Sequence, residues 1–173
     1  VYKRQGINDA GVDVYDAGLA TTPMIYYSTA KFGFDASVMI TASHNPAEYN
    51  GLKVSGTNAR PVGFDTGLNK VKELMETIDV VPSEKKGVLK KINVRDTYFE
   101  FLKSYVPNIS GLKISIDCSN GMAGLFIKNL LGPSPMYFYD ELDGSFPNHE
   151  ANPLVAKNVV DLQKHVLENK SDI

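Results

Sequence analysis

Two rhythms of apolar and polar positions take turns along this chain, short apolar or alternating runs and longer stretches with apolar residues at helical spacing. Val12 to Tyr15 reads as a strand. Thr22-Pro23 then supplies a cap and a first-turn proline for a helix running to about Ala30. Ser37 to Thr41 follows as a strand, and its consecutive Val38, Met39 and Ile40 predict burial on both faces. His44-Asn45-Pro46 cannot continue it, Tyr49-Asn50-Gly51 is a turn, and Gly51 to Ser55 is a returning strand. From Asp65 to Thr77, and on to Ile78, Leu68, Val71, Leu74, Met75 and Ile78 fall on one helical face, which is expected to pack on that sheet.

Between Pro82 and Asp96 the chain turns charged, and Lys85, Lys86, Lys90 and Lys91 read as a solvated linker surface. The pattern thus predicts two domains, residues 1–82 and 83–173. In the second, Asp96 caps a helix with Tyr98, Phe101, Leu102 and Tyr105 on its apolar side. Leu112 to Asp117 is a strand, Met122 to Leu131 a helix, Met136 to Tyr139 a strand and about Lys157 to Glu168 a helix; Ser171-Asp172-Ile173 begins another strand. The fold class that follows is α/β, as two consecutive three-layer α/β/α units with mixed, mostly parallel sheets, both incomplete. Val1 to Gln5 shows no clear pattern and is set aside as a remnant outside the fold.

Composition narrows the classes. With 173 residues, 43% of them apolar, the chain can bury a core. A net charge of −2 with dispersed basic residues argues against nucleic-acid or membrane partners. No apolar run approaches the roughly 18 residues that span a bilayer. The single cysteine, Cys118, excludes an internal disulfide, fits a reducing, cytoplasmic compartment, and reads as a buried structural thiol.

Chemistry concentrates at one place. An apolar strand delivers Ser43 into a polar loop just past its carboxyl end, where open α/β sheets bind ligands. Lys53 lies ten positions on (53 − 43), and a loop that doubles back brings its ammonium towards the hydroxyl. Alternation sends Leu52 and Val54 to one face and Lys53 to the other. Elsewhere, Asp117 to Gly121 links a strand to a helix but lacks the lysine of a P-loop, and reads as a structural turn. Asp143, His149 and Glu150 are metal-ligand types without ligand spacing. A serine hydrolase needs a histidine base near Ser43; His44, the adjacent residue, is expected to point poorly, and His149 and His165 fall in the other domain.

The run Thr41-Ala42-Ser43-His44-Asn45-Pro46, followed by Tyr49-Asn50-Gly51-Leu52-Lys53, closely resembles the phosphoserine loop of the α-D-phosphohexomutases, and most of all their phosphomannomutase/phosphoglucomutase branch. Thr21-Thr22-Pro23, Ala59-Arg60-Pro61-Val62-Gly63, Asp117 to Gly121 and Asp143-Gly144-Ser145-Phe146-Pro147-Asn148-His149 agree with it in order. The resemblance implies that Ser43 carries a phosphoryl group and gives it to a hexose monophosphate, and that the resulting hexose 1,6-bisphosphate turns round and returns the other phosphoryl group. It implies that His44 contacts the phosphate, that Lys53 matches the general base, and that Mg²⁺ meets Ser43 through its phosphate.

Family members have four domains, so the chain is expected to hold most of the first two. The aspartate-rich metal loop is expected a few residues beyond Ile173, and the chain by itself is expected to be inactive. The 143–148 loop and Asn152-Pro153 are family markers read as structural. The alternatives are phosphoglucosamine mutase, whose serine loop is similar, and a non-catalytic sugar-phosphate-binding relative, which would be expected to have lost Ser43 or Lys53. Oligomeric state and preferred hexose are not legible.

Overall fold

The computed structural model describes residues 2–79 and 81–173, and Val1 of the set-aside N-terminal run lies outside them. Among the described residues, the elements are α1 (Tyr2–Asp9), β1 (Val14–Asp16), α2 (Thr22–Phe32), β2 (Ala36–Ile40), β3 (Leu52–Gly56), β4 (Pro61–Val62), α3 (Leu68–Thr77), β5 (Leu89–Lys91), α4 (Arg95–Lys103), β6 (Ser115–Asp117), α5 (Ile127–Leu131), β7 (Met136–Phe138) and α6 (Val160–Asn169). Single 3₁₀ turns precede α3, α5 and α6. This is the mixed α/β architecture expected: β1 pairs with β5 and β6 with β7 in parallel, while β4 runs antiparallel to β3 in a sheet of order β2-β3-β4.

The chain clusters into two compact units, one made of the residues up to Met39 with Lys53–Thr97, the other of Ile40–Leu52 with Tyr98–Ile173. The expected division after residue 82 falls inside the first unit, because β5 comes later and lies against β1 in the register Val14↔Leu89 to Asp16↔Lys91. What reads as a charged linker is an edge strand with exposed residues, the kind that lysines keep from pairing further. Lys86 reaches Asp9 at 2.7 Å, and Lys90 donates to the Tyr15 hydroxyl at 3.4 Å.

In the first unit α2 is the organising helix. Its cap is Thr21 rather than Thr22: the Thr21 hydroxyl accepts from the Met24 amide at 3.3 Å, and Gly33, at φ 68, closes the other end. Met24 and Thr29 are fully buried, with Ala20 and Val94 completing a small core. Beneath the helix three hydroxyls link up: Thr29 meets Ser37 of β2 at 2.8 Å, and Ser37 meets Ser55 of β3 at 2.6 Å.

Ser55 is fully buried on the face of β3 that also carries the exposed Lys53, while Leu52 and Val54 lie on the other. β2 corrects an expectation: it is half-buried on one face only, with Ile40 57% exposed on the other. An apolar triplet reports strand propensity but cannot say how many layers cover the strand.

Other expectations shift for equally local reasons. The N-terminal run is helical from Tyr2, with no buried residue; polar contacts hold it, Arg4 to Asp16 and the Gly87 amide to the Asn8 carbonyl at 2.8 Å, so no apolar stripe announces it. Helix α3 has the expected amphipathic spacing but packs no residue into a core, and Val71, Leu74 and Met75 are exposed. Asp96 is inside the first turn of α4, where it accepts from the Asn93 side chain at 2.7 Å instead of capping. In the second unit Tyr98, Ile114, Cys118 and Phe126 form the core, Tyr98 and Phe126 meeting edge to face at 5.9 Å. The last residues run beside β6 without forming the strand expected at Ser171–Ile173, the Ser115 amide donating to the Ile173 carbonyl at 2.9 Å.

Candidate active site

Ser43 stands three residues beyond the end of β2, in an eleven-residue excursion (41–51) whose ends are joined by the Thr41 amide donating to the Gly51 carbonyl at 3.0 Å. Two turns shape it, Asn45 amide to Ala42 carbonyl at 3.1 Å and Tyr49 amide to Pro46 carbonyl at 3.0 Å. The neck is tight enough to demand glycine: a Cβ on Gly51 would lie 2.8 Å from the Thr41 carbonyl oxygen.

The serine itself has φ 61, in the left-handed region that L-residues enter at a cost. Its amide donates to the Thr41 hydroxyl at 3.0 Å, which holds the bend and leaves the Ser43 side chain exposed. The His44 Nδ1 sits 3.3 Å from Ser43 Oγ. This corrects the expectation that His44 points poorly at its neighbour. Even so, among the described residues no carboxylate or carbonyl orients the far side of that imidazole, so a hydrolase-type relay is not assembled.

Lys53 is the second residue of β3, exposed, and among the described residues its ammonium has no hydrogen-bond or ion-pair partner. Ser43 and His44 belong to the second compact unit and Lys53 to the first. The structure therefore brings Ser43 and His44 together by a hydrogen bond and leaves Lys53 uncommitted. Gly51 holds the turn position expected of it, and Thr41 is the supporting residue that the sequence pattern leaves without a role; its signal is a hydroxyl two residues before the serine.

The turn after β6 has a different character. Its amides are spent inside the protein: Ser119 on Asp117 Oδ1 at 2.7 Å, Asn120 on the Tyr139 carbonyl at 2.7 Å, Gly121 on the Cys118 carbonyl at 2.8 Å. None is left to cradle an anion, which agrees with the structural reading. The Asn120 side chain donates to the Glu141 carbonyl at 3.0 Å and accepts from Asn148 at 2.8 Å. Asp143 takes both the hydroxyl and the amide of Ser145, and these hold its carboxyl below the usual range. Burial, with Asp140 and Asp117 nearby, pushes the Cys118 thiol up, so it is an inert core residue. Among the described residues no group of three His, Cys, Asp or Glu side chains converges on a metal position.

The site is an exposed serine on a bent loop past a strand end, beside a histidine, on an α/β scaffold, and the comparisons agree on the family. Residues 4–81 match the model of phosphoglucomutase/phosphomannomutase, alpha/beta/alpha domain I. The chain belongs to the phosphoglucomutase/phosphomannomutase family. It is 38% identical to the phosphomannomutase of Salmonella montevideo over 182 residues, covering 98% of this chain and 40% of that protein. It is 35% identical to the phosphomannomutase/phosphoglucomutase of Pseudomonas syringae pv. tomato, over 98% of this chain and 36% of that protein. The crystal structure of a phosphoglucomutase/phosphomannomutase family protein from Burkholderia thailandensis superposes with a TM-score of 0.83 at 27% identity, covering 97% of this chain and 38% of that one. The chain thus spans about two fifths of the length of the relatives it matches.

Proposed function

We propose that the protein is a phosphohexomutase that interconverts hexose 1-phosphates and 6-phosphates, with mannose or glucose as the sugar, through a phosphoserine at Ser43. The observation that carries this reading is the presentation of Ser43: exposed, bent to φ 61, with its amide tied back to Thr41 and His44 Nδ1 at 3.3 Å, inside the segment that matches the family's first domain.

The chemistry asks for little covalent help and much positioning. In one half-reaction a hexose hydroxyl attacks the phosphorus, the bond to Ser43 Oγ breaks, and the product is a hexose 1,6-bisphosphate. The hydroxyl proton goes to Lys53, the exposed side chain that the resemblance matches to the general base. The second half-reaction runs the same steps backwards from the other phosphate, and Lys53 returns the proton. His44, whose Nδ1 lies 3.3 Å from Ser43 Oγ, gives the departing serine oxygen its proton and takes that proton back in the second half-reaction.

Mg²⁺ is the metal the resemblance implies. The described residues do not form a site for it, since no group of three His, Cys, Asp or Glu side chains converges on a metal position, and Ser43 would meet it through its phosphate. Every step above is therefore assigned to side chains. We also infer that these 173 residues alone do not turn over and that the protein is cytoplasmic. No helix among the described residues is long and apolar enough to cross a membrane.

The test is direct. Peptide mapping by mass spectrometry of the intact protein should find phosphate on the peptide that contains Ser43. Ser43→Ala should remove it and lower mutase turnover at least about 10³-fold in the presence of a bisphosphorylated activator. Full turnover in Ser43→Ala would end the proposal.

A further inference from the structure

His149 is placed so that neither of its neutral forms satisfies its surroundings. Its Nε2 lies 2.9 Å from Asp117 Oδ2, at the end of β6, and its Nδ1 lies 2.9 Å from the carbonyl oxygen of Glu150. Both partners accept only. A neutral imidazole carries one N–H, so either tautomer would set a lone pair against an oxygen lone pair. The pair is little exposed, the side chains of His149 and Asp117 keeping 11% and 8% of their accessible surface, and water has small room to mediate.

We propose that His149 is held as an imidazolium that fastens the 143–150 loop to the carboxyl end of β6, and that this fastening is pH-sensitive and loosens when the ring loses its proton. The loop has few other anchors: Asn148 on Asn120 at 2.8 Å and the Asp143 amide on the Asn120 carbonyl at 3.0 Å. Of its two ionic contacts among the described residues, His149 with Asp117 is the little-exposed one, while Glu150 with Lys157 stands largely in solvent.

The surroundings carry net negative charge. Asp117 faces the ring from β6, and Asp161 faces it from α6, held by the Tyr139 hydroxyl at 2.9 Å. The Tyr139 ring meets the imidazole edge to face at 5.4 Å. The Glu150 carboxylate points to Lys157 at 3.7 Å, so its charge is partly answered elsewhere. Burial works against the charged ring, but the Glu150 carbonyl, the bond to Asp117 and the charges of Asp117 and Asp161 outweigh it, and the ring holds its proton above the ordinary histidine value of 6.5. The linkage has one sign: a raised value gives stability that is fully present below 6.5 and is lost as pH rises through the folded-state value.

Histidine-selective labelling of the intact protein and an NMR titration test this. The resonance is identified by its loss in His149→Gln or, should that variant fail to fold, by its contact with the Tyr139 ring. The expected result is a doubly protonated signature at neutral pH, a midpoint above 6.5, and a downward shift in Asp117→Asn. Hydrogen exchange of the 143–150 amides should speed up across the same pH interval in the wild type. A single-proton tautomer at neutral pH, a midpoint at or below 6.5, or a midpoint that Asp117→Asn leaves unmoved would overturn the proposal.

Discussion

The loop after β2 and the loop after β7 both leave the end of a strand, yet opposite means hold them. The first, around Ser43, is fixed by backbone turns, one tight glycine and one threonine hydroxyl, and its Ser43 and His44 side chains stand in solvent. The second, from Tyr139 to His149, is fixed by side chains reaching back to Asp117 and Asn120, and its polar groups are consumed in holding it. A nucleophile that takes up and gives away a doubly charged group must leave its own side chain free, so the backbone has to do the shaping. A loop with no such duty can spend every carboxylate and amide on itself.

If that contrast is right, substitutions in the two places should separate activity from stability. Lys53→Gln is the strongest probe on the reactive side. It removes the proposed proton carrier from an exposed position without a structural partner, so turnover, measured in a longer protein that carries this segment, should fall about 10²- to 10⁴-fold with an unchanged denaturation midpoint. A parallel loss of stability would show that Lys53 serves the fold, and the contrast would fail there.

Gly51→Ala probes the shaping device. The new Cβ would meet a backbone oxygen at 2.8 Å, which no rotamer relieves, and the neck must open. A loss of about 1–3 kcal/mol in a denaturant titration is expected, together with reduced phosphate on Ser43.

On the other side, Asn120→Ala deletes a buried amide that joins Glu141 to Asn148 and leaves alanine at φ 52. A loss of about 1–3 kcal/mol is expected, with the phosphorylation of Ser43 unaffected. Loss of that phosphate at full stability would mean that the second loop is not merely self-holding.

The reactive loop was the more legible of the two because its chemistry is written in adjacent letters. Ser43, His44, the turn residues and Gly51 are local in sequence, and a strand that runs into a proline-containing loop places them without reference to distant partners. The second loop was recognised only as a marker. Its meaning lies in pairs 28 and 32 residues apart, Asn148 with Asn120 and His149 with Asp117, which no local pattern encodes. The same limit explains β5 and α1, both settled by contacts about 75 residues away, such as Val14 with Leu89 and Asn8 with Gly87. It also leaves open which face of β3 is covered, a choice that the buried trio Thr29, Ser37 and Ser55 decides. An alternating pattern with serine inward looks, on paper, like one with serine outward.

Thr41→Val should have the smallest effect and the most discriminating one. Valine keeps the shape of threonine but cannot accept from the Ser43 amide, so the bend at φ 61 loses its one side-chain support. In an exposed loop water takes over most of that bond, and stability should drop by less than about 1 kcal/mol. The consequence for function is sharper, because a serine that leaves the left-handed region, worth roughly 1–2 kcal/mol, aims its hydroxyl elsewhere. A several-fold fall in kcat at unchanged KM, with a slower approach to full phosphorylation, is the expected signature of a backbone-shaped nucleophile. Wild-type kcat in Thr41→Val would mean that the turns and Gly51 alone hold the bend, and a loss as large as that of Lys53→Gln would place the threonine hydroxyl against the phosphate itself.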